Sequence, residues 1–165
     1  MTLPGIRSIG LLSAIAAALA LGIALASERW GGLVPCAFCL LERWPYRIAI
    51  ALGLIAAVVP PRWARWILWL LVLTIAVGAA MAVVHVGVEQ HFWPDPIPAC
   101  AMPRFTGGSI AERLAQMPAQ PAKPCEDPTF LIPGLPISMA AMNLIYALAF
   151  VVLLAAVLWR ERRPA

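Results

Sequence analysis

Four long apolar stretches dominate this sequence and leave few folds open to it. The first, residues 8–27, contains no charged side chain and is long enough to cross about 30 Å of hydrocarbon as a helix. The others cover residues 34–59, 66–88 and 137–159. Because lipid offers backbone groups no hydrogen-bond partner, each stretch is predicted to be a spanning helix. We therefore expect an all-α integral membrane protein, a four-transmembrane-helix bundle.

The composition argues against other broad classes. Hydrophobic residues make up 62% of the chain and charged residues 12%, whereas a soluble domain carries about 25% charged residues. The net charge of +4 is a small excess that has to be read by position, and it does not indicate a nucleic-acid partner. We expect one membrane domain over residues 1–165, with the lipid bilayer as its surroundings.

The first stretch has two features that bear on its role. Its apolar core exceeds the about 7–15 residues of a signal peptide, so we expect residues 8–27 to be retained although Ala24-Leu25-Ala26 resembles a cleavage site. Small residues also recur every four positions, which favours close helix packing, although an alanine-rich stretch gives such spacing by chance. They are Ala14, Ala18, Gly22 and Ala26.

The distribution of arginine predicts the orientation, because cytoplasmic flanks of membrane helices carry an excess of Lys and Arg. One predicted side has arginines and almost no acidic residues, whereas the other has both signs. The arginines of the first side are Arg7, Arg62, Arg65, Arg160, Arg162 and Arg163. Both termini are therefore predicted to be cytoplasmic, with residues 89–135 on the outer side.

The outer segment, residues 89–135, contains nine prolines, so it is predicted to be a Pro-rich loop and neither a long helix nor a sheet. Ser109 and Glu112 have the spacing of a capping box, which predicts one short amphipathic helix. That helix either lies on the membrane surface or packs on the loop itself. Its apolar face is formed by Ile110, Leu114 and Met117.

All four cysteines fall on the predicted outer side, where disulfides persist. Cys36 and Cys39 form a C-x-x-C pair, whereas Cys100 and Cys125 lie in the loop. We expect no metal, because zinc commonly takes two close pairs, and a c-type haem needs histidine where Leu40 stands. Two structural disulfides remain an alternative. However, a C-x-x-C ring constrains little of the unfolded chain, which favours redox chemistry.

The surroundings of the C-x-x-C pair also favour reactive thiols. Pro35 suits the first turn of a helix, which places Cys36 and Cys39 near a helix N-terminus, where a thiolate is stabilised. Arg43 follows Cys39 by four positions and Cys36 by seven. We therefore expect all three on one helical face, with the guanidinium about one turn below Cys39.

Charged residues inside the second stretch are candidate functional residues, because charge at membrane depth is costly. They are Glu42, Arg43 and Arg47. The alternative is that these side chains extend to the membrane interface, and this interpretation is stronger for Arg47 than for Glu42 and Arg43.

The string Cys36-Ala37-Phe38-Cys39-Leu40-Leu41-Glu42-Arg43, at the head of the second stretch, resembles the DsbB family of disulfide-bond formation membrane proteins. The resemblance extends to Trp93-Pro94-Asp95-Pro96, to Cys100 just after it, and to Cys125. It implies a bacterial inner-membrane oxidoreductase. Such an enzyme reoxidises a periplasmic thioredoxin-like protein, DsbA, and passes the electrons to a membrane quinone, ubiquinone or menaquinone.

The same resemblance implies roles for the cysteines and Arg43. Cys100 resembles the loop cysteine that forms the mixed disulfide with the partner, and Cys125 resembles its loop mate. Cys39 matches the cysteine that interacts with the quinone ring, and Cys36 matches its partner. Arg43 matches the arginine of the quinone site.

Three further residues are candidates for the quinone site. His85, near the end of the third stretch, matches a histidine that the family has near the quinone, and His91 is a rival for that role. Glu42 is a candidate because it is an ionisable residue at membrane depth.

Other functions remain open at this point. A related enzyme with another dithiol partner would use the same chemistry. A reductive relay across the membrane would need a cysteine on the cytoplasmic side, where none is predicted. An alternative from a different class of function is a non-catalytic membrane scaffold that is held together by structural disulfides. A vitamin-K-epoxide-reductase-like protein is a further alternative. Its C-x-x-C lies near the end of a late span, whereas the pair here lies at the start of the second stretch.

The predicted topology can be tested with reporter fusions. Fusions at Ala165 and near Gly107 should report opposite sides of the membrane, because four spans place the C-terminus inside and the loop outside. Alkaline phosphatase and fluorescent-protein fusions in a bacterial host provide the two readouts. The same side for both positions would refute the topology.

Overall fold

The computed structural model describes residues 5–97, 109–115, 123–132 and 134–161, with side chains for all of these except 113–115. Within these ranges the chain is helical and has no β-strand. Four helices are long and one is short. They are α1 (Ile6–Arg29), α2 (Ala37–Val58), α3 (Pro61–Glu89), α4 (Ile110–Ala115) and α5 (Met139–Arg160). A long helix is thus present at each of the four apolar stretches.

Three of the described helices, α1, α3 and α5, are long and apolar enough to cross a membrane. Much of their outward surface is apolar, as expected for side chains that face lipid. Examples are Leu19 on α1, Leu73 on α3 and Leu153 on α5, each about 60–70% exposed. The 22-residue α2 carries Glu42, Arg43 and Arg47 and is not among these three.

Helices α1 and α2 pack at very short range through glycine. A Cβ atom at Gly53 would lie 2.7 Å from the carbonyl oxygen of Gly10, and one at Gly10 would lie 2.8 Å from that of Gly53. Of the predicted stripe, Ala14 is buried, but Ala18 and Gly22 are exposed. The prediction that the residues at four-residue spacing form the contact face of α1 was therefore wrong. A straight helix has 3.6 residues per turn, so such a row drifts around it.

The two ends of the bundle differ in composition. Because the connections on either side of α2 are short, α1, α2 and α3 run alternately up and down. The start of α1, the start of α3 and the end of α5 carry four arginines of the first predicted side, Arg7, Arg62, Arg65 and Arg160, while Arg162 and Arg163 lie outside the described residues. Exposed tryptophans, which are typical of membrane interfaces, lie near these arginines, and another, Trp30, lies at the opposite end. Those near the arginines are Trp63, Trp66 and Trp159. The cysteine pair lies at the opposite end, where α2 begins.

The predicted capping box is confirmed. The backbone N–H of Ser109 donates to the Glu112 carboxylate at 2.7 Å, and the N–H of Glu112 lies 3.3 Å from Ser109 Oγ. Ile110 in the first turn of α4 is 79% exposed, while Met117 lies outside the described residues. Whether α4 lies on the membrane stays a prediction.

The glycine contact between α1 and α2 gives a stability test. We expect Gly53→Ala to destabilise the protein by about 1–3 kcal/mol, because the added methyl group meets the backbone of α1. Gly22→Ala is the matched control, since a Cβ there has no neighbour within 4 Å. Thermal unfolding of the detergent-solubilised protein measures both. Equal midpoints for the two variants would contradict the packing.

Candidate functional site

Cys36 caps the N-terminus of α2 with its own sulfur. Its backbone is extended, with φ −83° and ψ 173°, and its Sγ accepts the backbone N–H of Cys39 at 3.2 Å. The Sγ atoms of Cys36 and Cys39 lie 2.9 Å apart, and both thiols are free. The unpaired N–H groups of the helix start thus favour negative charge on Cys36. Pro35 was expected in the first turn of the helix. It lies one residue before the cap instead.

A row of hydrogen-bonding groups runs from Cys36 into the bundle. The Sγ of Cys36 lies 3.4 Å from Nε2 of His85, and His85 Nδ1 lies 3.0 Å from Oε1 of Glu42. The amide of Asn143 donates to the other Glu42 oxygen at 2.9 Å, and the Tyr46 hydroxyl donates to Asn143 at 2.6 Å. An ionised carboxylate only accepts, so Nδ1 carries a proton when Glu42 is ionised. In the neutral form of the imidazole, Nε2 then presents its lone pair to Cys36.

The imidazole is fixed by packing as well as by hydrogen bonds. Phe38 stacks on His85 with ring centroids 5.2 Å apart and planes 18° apart. His85 is 1% exposed and Glu42 is 6% exposed. His91, the rival candidate, is exposed in the turn after α3, where its φ is +57°. The structure therefore brings His85, and not His91, to the cysteine pair.

An apolar cavity of about 370 Å³ lies beside Cys39, between α1, α2 and the start of α5. Its few polar groups include Cys39, Glu42, Arg43 and Asn143. Ligand pockets typically have about 300–1,000 Å³ and a largely apolar lining with a few placed polar groups. The cavity therefore has the size and character of a site for a small, mostly apolar molecule.

Arg43 is held at this cavity by a partner from α1. Its Nη2 lies 2.7 Å from Oε2 of Glu28, and the arginine side chain is 9% exposed. Its buried Nε–H meets no hydrogen-bond acceptor within the described part of the chain. Arg47, one turn further on, is exposed and lies over the Trp44 ring at 5.2 Å. The interfacial interpretation thus suits Arg47, whereas Arg43 is a buried donor.

The segment that contains Lys123 and Cys125 reaches the same end of the bundle. Lys123 forms an isolated parallel β-bridge with Cys36. Its Nζ donates to the Pro128 carbonyl and the Thr129 hydroxyl, each at 2.9 Å. Cys125 is fully buried and disulfide-bonded. It lies in one buried cluster with Cys36, Phe38 and Val88.

The structure places most of the candidate residues together, with one change of arrangement. Cys39 and Arg43 both line the cavity, but Cys36 is not among its lining residues and contacts His85 instead. Cys36 is the cap, so the helical periodicity behind the expected shared face does not extend to it, and the shared face stays a prediction. Cys100 lies outside the described residues, and its pairing with Cys125 stays a prediction.

Three partners in this site were not singled out from the sequence. Glu28 marks only the end of the first stretch there, yet it pairs with Arg43. Tyr46 and Asn143 complete the row behind Glu42. Asn143 carried a usable signal, since an amide inside an apolar span is costly without a partner. Glu28 and Tyr46 carried none, because their partners depend on how the helices are rotated.

These features define a helical membrane protein with a thiol pair set between a buried histidine and an apolar cavity. The model of the family described as "Disulfide bond formation protein DsbB" matches residues 6–157. The chain therefore belongs to the DsbB family, which implies a membrane thiol–disulfide oxidoreductase.

The chain is also similar to an uncharacterized protein of Rickettsia prowazekii (strain Madrid E). The two are 26% identical over 142 residues, which is 86% of this chain and 81% of that protein. No solved structure matches the chain significantly.

The row behind Glu42 predicts coupling between Asn143 and Tyr46. Asn143→Leu should lower the free energy of unfolding by about 1–3 kcal/mol for each buried partner left unpaired. Tyr46→Phe should lower it less. The double variant should lose less stability than the two single variants lose together. Unfolding midpoints of the two single variants and the double variant give the coupling energy, expected at about 0.5–3 kcal/mol. Strictly additive effects would contradict the hydrogen bond between them.

Proposed function

We propose that this protein oxidises a periplasmic, thioredoxin-like dithiol protein of the DsbA type and passes the electrons to a membrane quinone. One observation supports the proposal: the C-x-x-C pair lies between the buried loop cysteine and the cavity. Cys36 belongs to the buried cluster of Cys125, and Cys39 packs against that cluster and also lines the cavity with Arg43. Electrons can thus enter the pair from the loop and leave it toward the cavity.

The proposal includes α2 as a fourth span, with both termini in the cytoplasm and the cysteines on the periplasmic side of the bacterial inner membrane. The buried charges of α2 do not oppose this. Glu42 has partners on α3 and α5, and Arg43 has one on α1. Paired charges inside a bundle are the form in which ionisable residues are tolerated at membrane depth.

The residues at the cavity fit a quinone. The cavity offers apolar walls from α1, such as Leu19 and Ile23, and a buried arginine whose Nε–H has no described acceptor. Arg43 and Cys39 would hold the head group, and Arg43 would stabilise negative charge on a carbonyl oxygen. A bound quinone supplies an acceptor for two electrons and two protons. The choice between ubiquinone and menaquinone does not follow from these residues.

The thiol chemistry follows from the order of the sulfurs. A thiolate of the partner attacks Cys100 of the loop disulfide that the resemblance implies, and Cys125 leaves as a thiolate. Cys125 then attacks Cys36 of the Cys36–Cys39 disulfide, and Cys39 leaves as a thiolate beside Arg43. The second thiolate of the partner protein attacks the mixed disulfide with Cys100 and releases Cys100 as a thiolate. Cys100 then attacks Cys125 and releases Cys36 as a thiolate. The loop disulfide is restored, and both electrons reside on Cys36 and Cys39.

His85 is suited to manage the proton of Cys36 in this sequence. Its Nε2 faces the sulfur at 3.4 Å, and Glu42 stabilises the imidazolium that forms when the proton is taken up. The same proton can return when Cys36 next leaves a disulfide. His85 therefore acts at the sulfur, while Arg43 acts on the cavity side.

The test is anaerobic reduction of added quinone by the purified protein and a reduced periplasmic dithiol protein. We expect Arg43→Ala to reduce the rate by about 10²–10³, because one preorganised charged donor is lost. Arg43→Lys should retain part of the activity, since it keeps the charge without the planar fork. Arg47→Ala is the matched control on the same helix and should behave as the parent protein.

The outcomes separate the proposal from a non-catalytic scaffold. A scaffold reduces no quinone, even when every cysteine and arginine is intact. A kcat and a quinone KM close to the parent values in Arg43→Ala would refute the assignment of Arg43. Equal losses in Arg43→Ala and Arg47→Ala would instead indicate a general effect of charge on α2.

A further inference from the structure

Three metal-ligating atoms converge at the start of α2. They are the Sγ atoms of Cys36 and Cys39 and the Nε2 or Nδ1 atom of His85, and the donor atoms all lie within 4.8 Å of one another. From this geometry we propose that the reduced pair and His85 form a binding site for a thiophilic divalent metal ion of the zinc class. The spacing of the cysteines alone gives no such site, because α3 supplies the third donor.

The distances suit a tetrahedral ion after one small adjustment. With metal–sulfur bonds of about 2.3 Å and metal–nitrogen bonds of about 2.0 Å, tetrahedral ligands lie about 3.5 Å apart for S and N, and about 3.8 Å apart for two sulfurs. Cys36 Sγ and His85 Nε2 are already 3.4 Å apart. The sulfurs, at 2.9 Å, must separate. Cys39 is only half-buried and borders the cavity, so its side chain has room to turn.

The surroundings already orient the histidine as a ligand. When Glu42 accepts the Nδ1–H, the Nε2 lone pair faces Cys36 and is available to a metal ion once the thiol loses its proton. Asn143 holds the second oxygen of Glu42. A carboxylate behind a ligating histidine is the usual support of such sites. Stacking on Phe38 fixes the plane of the ring. The histidine thus needs no rearrangement to bind.

Binding depends on the redox state of the pair. Two thiols and one divalent ion give two bound thiolates and two released protons, and no electrons move. Once Cys36 and Cys39 form a disulfide, the two anionic donors are gone and the ion is released. The metal and the electron acceptor therefore compete for the reduced pair. This consequence for turnover rests on the proposed function, whereas binding itself does not.

The experiment uses the full chain with Cys100→Ala and Cys125→Ala, so that two thiols remain. After reduction and anaerobic removal of the reductant, the protein is titrated with Cd²⁺, followed by displacement with Zn²⁺. We expect one Cd²⁺ per chain with the absorption of two thiolate ligands, and none after oxidation of the pair. His85→Ala and Glu42→Gln should each weaken binding by about tenfold or more, since both support the nitrogen ligand. His91→Ala is the matched control.

The results can overturn the proposal without reference to catalysis. Absence of stoichiometric uptake by the reduced protein refutes it, and so does unchanged affinity in His85→Ala. If circular dichroism reveals that His85→Ala has lost its helices, the variant Cys39→Ser provides the test instead. We expect it to bind Cd²⁺ more weakly and with the absorption of one thiolate ligand. The metal titration uses no added quinone, so its result does not depend on whether the protein has the proposed oxidase activity. With the native cysteines, Zn²⁺ should slow quinone reduction and a chelator should restore it.

Discussion

The cost of burying charge in an apolar bundle determines how the long helices are arranged. Glu42 and Arg43 are consecutive residues on α2, and both are less than one-tenth exposed. Glu42 is bound by His85 from α3 and Asn143 from α5, while Arg43 is bound by Glu28 from α1. One dipeptide thus contacts all three of the other long helices. An unpaired ion in such surroundings costs several kcal/mol, so each contact fixes the rotation of the helix that supplies it.

The same pairs divide the end of the bundle into two chemical environments. On one side, Glu42 orients the imidazole toward Cys36, next to the buried loop cysteine. On the other, Glu28 holds Arg43 beside Cys39 at the apolar cavity. Cys36 is the helix cap and Cys39 lies in the first turn, and their sulfurs are 2.9 Å apart, so the pair lies where the two environments meet, with Cys39 on the cavity side. The separate roles proposed for the two cysteines would follow from where α2 begins.

The sequence allowed the helices, their order and much of the site to be predicted. The apolar stretches locate the long helices, because length and hydropathy are local properties, and the Ser109–Glu112 capping box is equally local. The contact between α1 and α2 was not predictable in the same way. Gly10 and Gly53 form it, whereas Gly22 faces open space. Which face of a helix meets its neighbour depends on long-range packing, and for the same reason Glu28 was missed as the partner of Arg43.

The β-bridge between Cys36 and Lys123 has a kinetic consequence for the proposed route. It fastens the chain two residues before Cys125 to the residue that Cys125 attacks. Tethered reactants behave as if present at a very high effective concentration, because the search through space has already been made. On the proposed route, the transfer from Cys125 to Cys36 therefore starts with the two residues already held near each other, and it needs no docking of a distant loop.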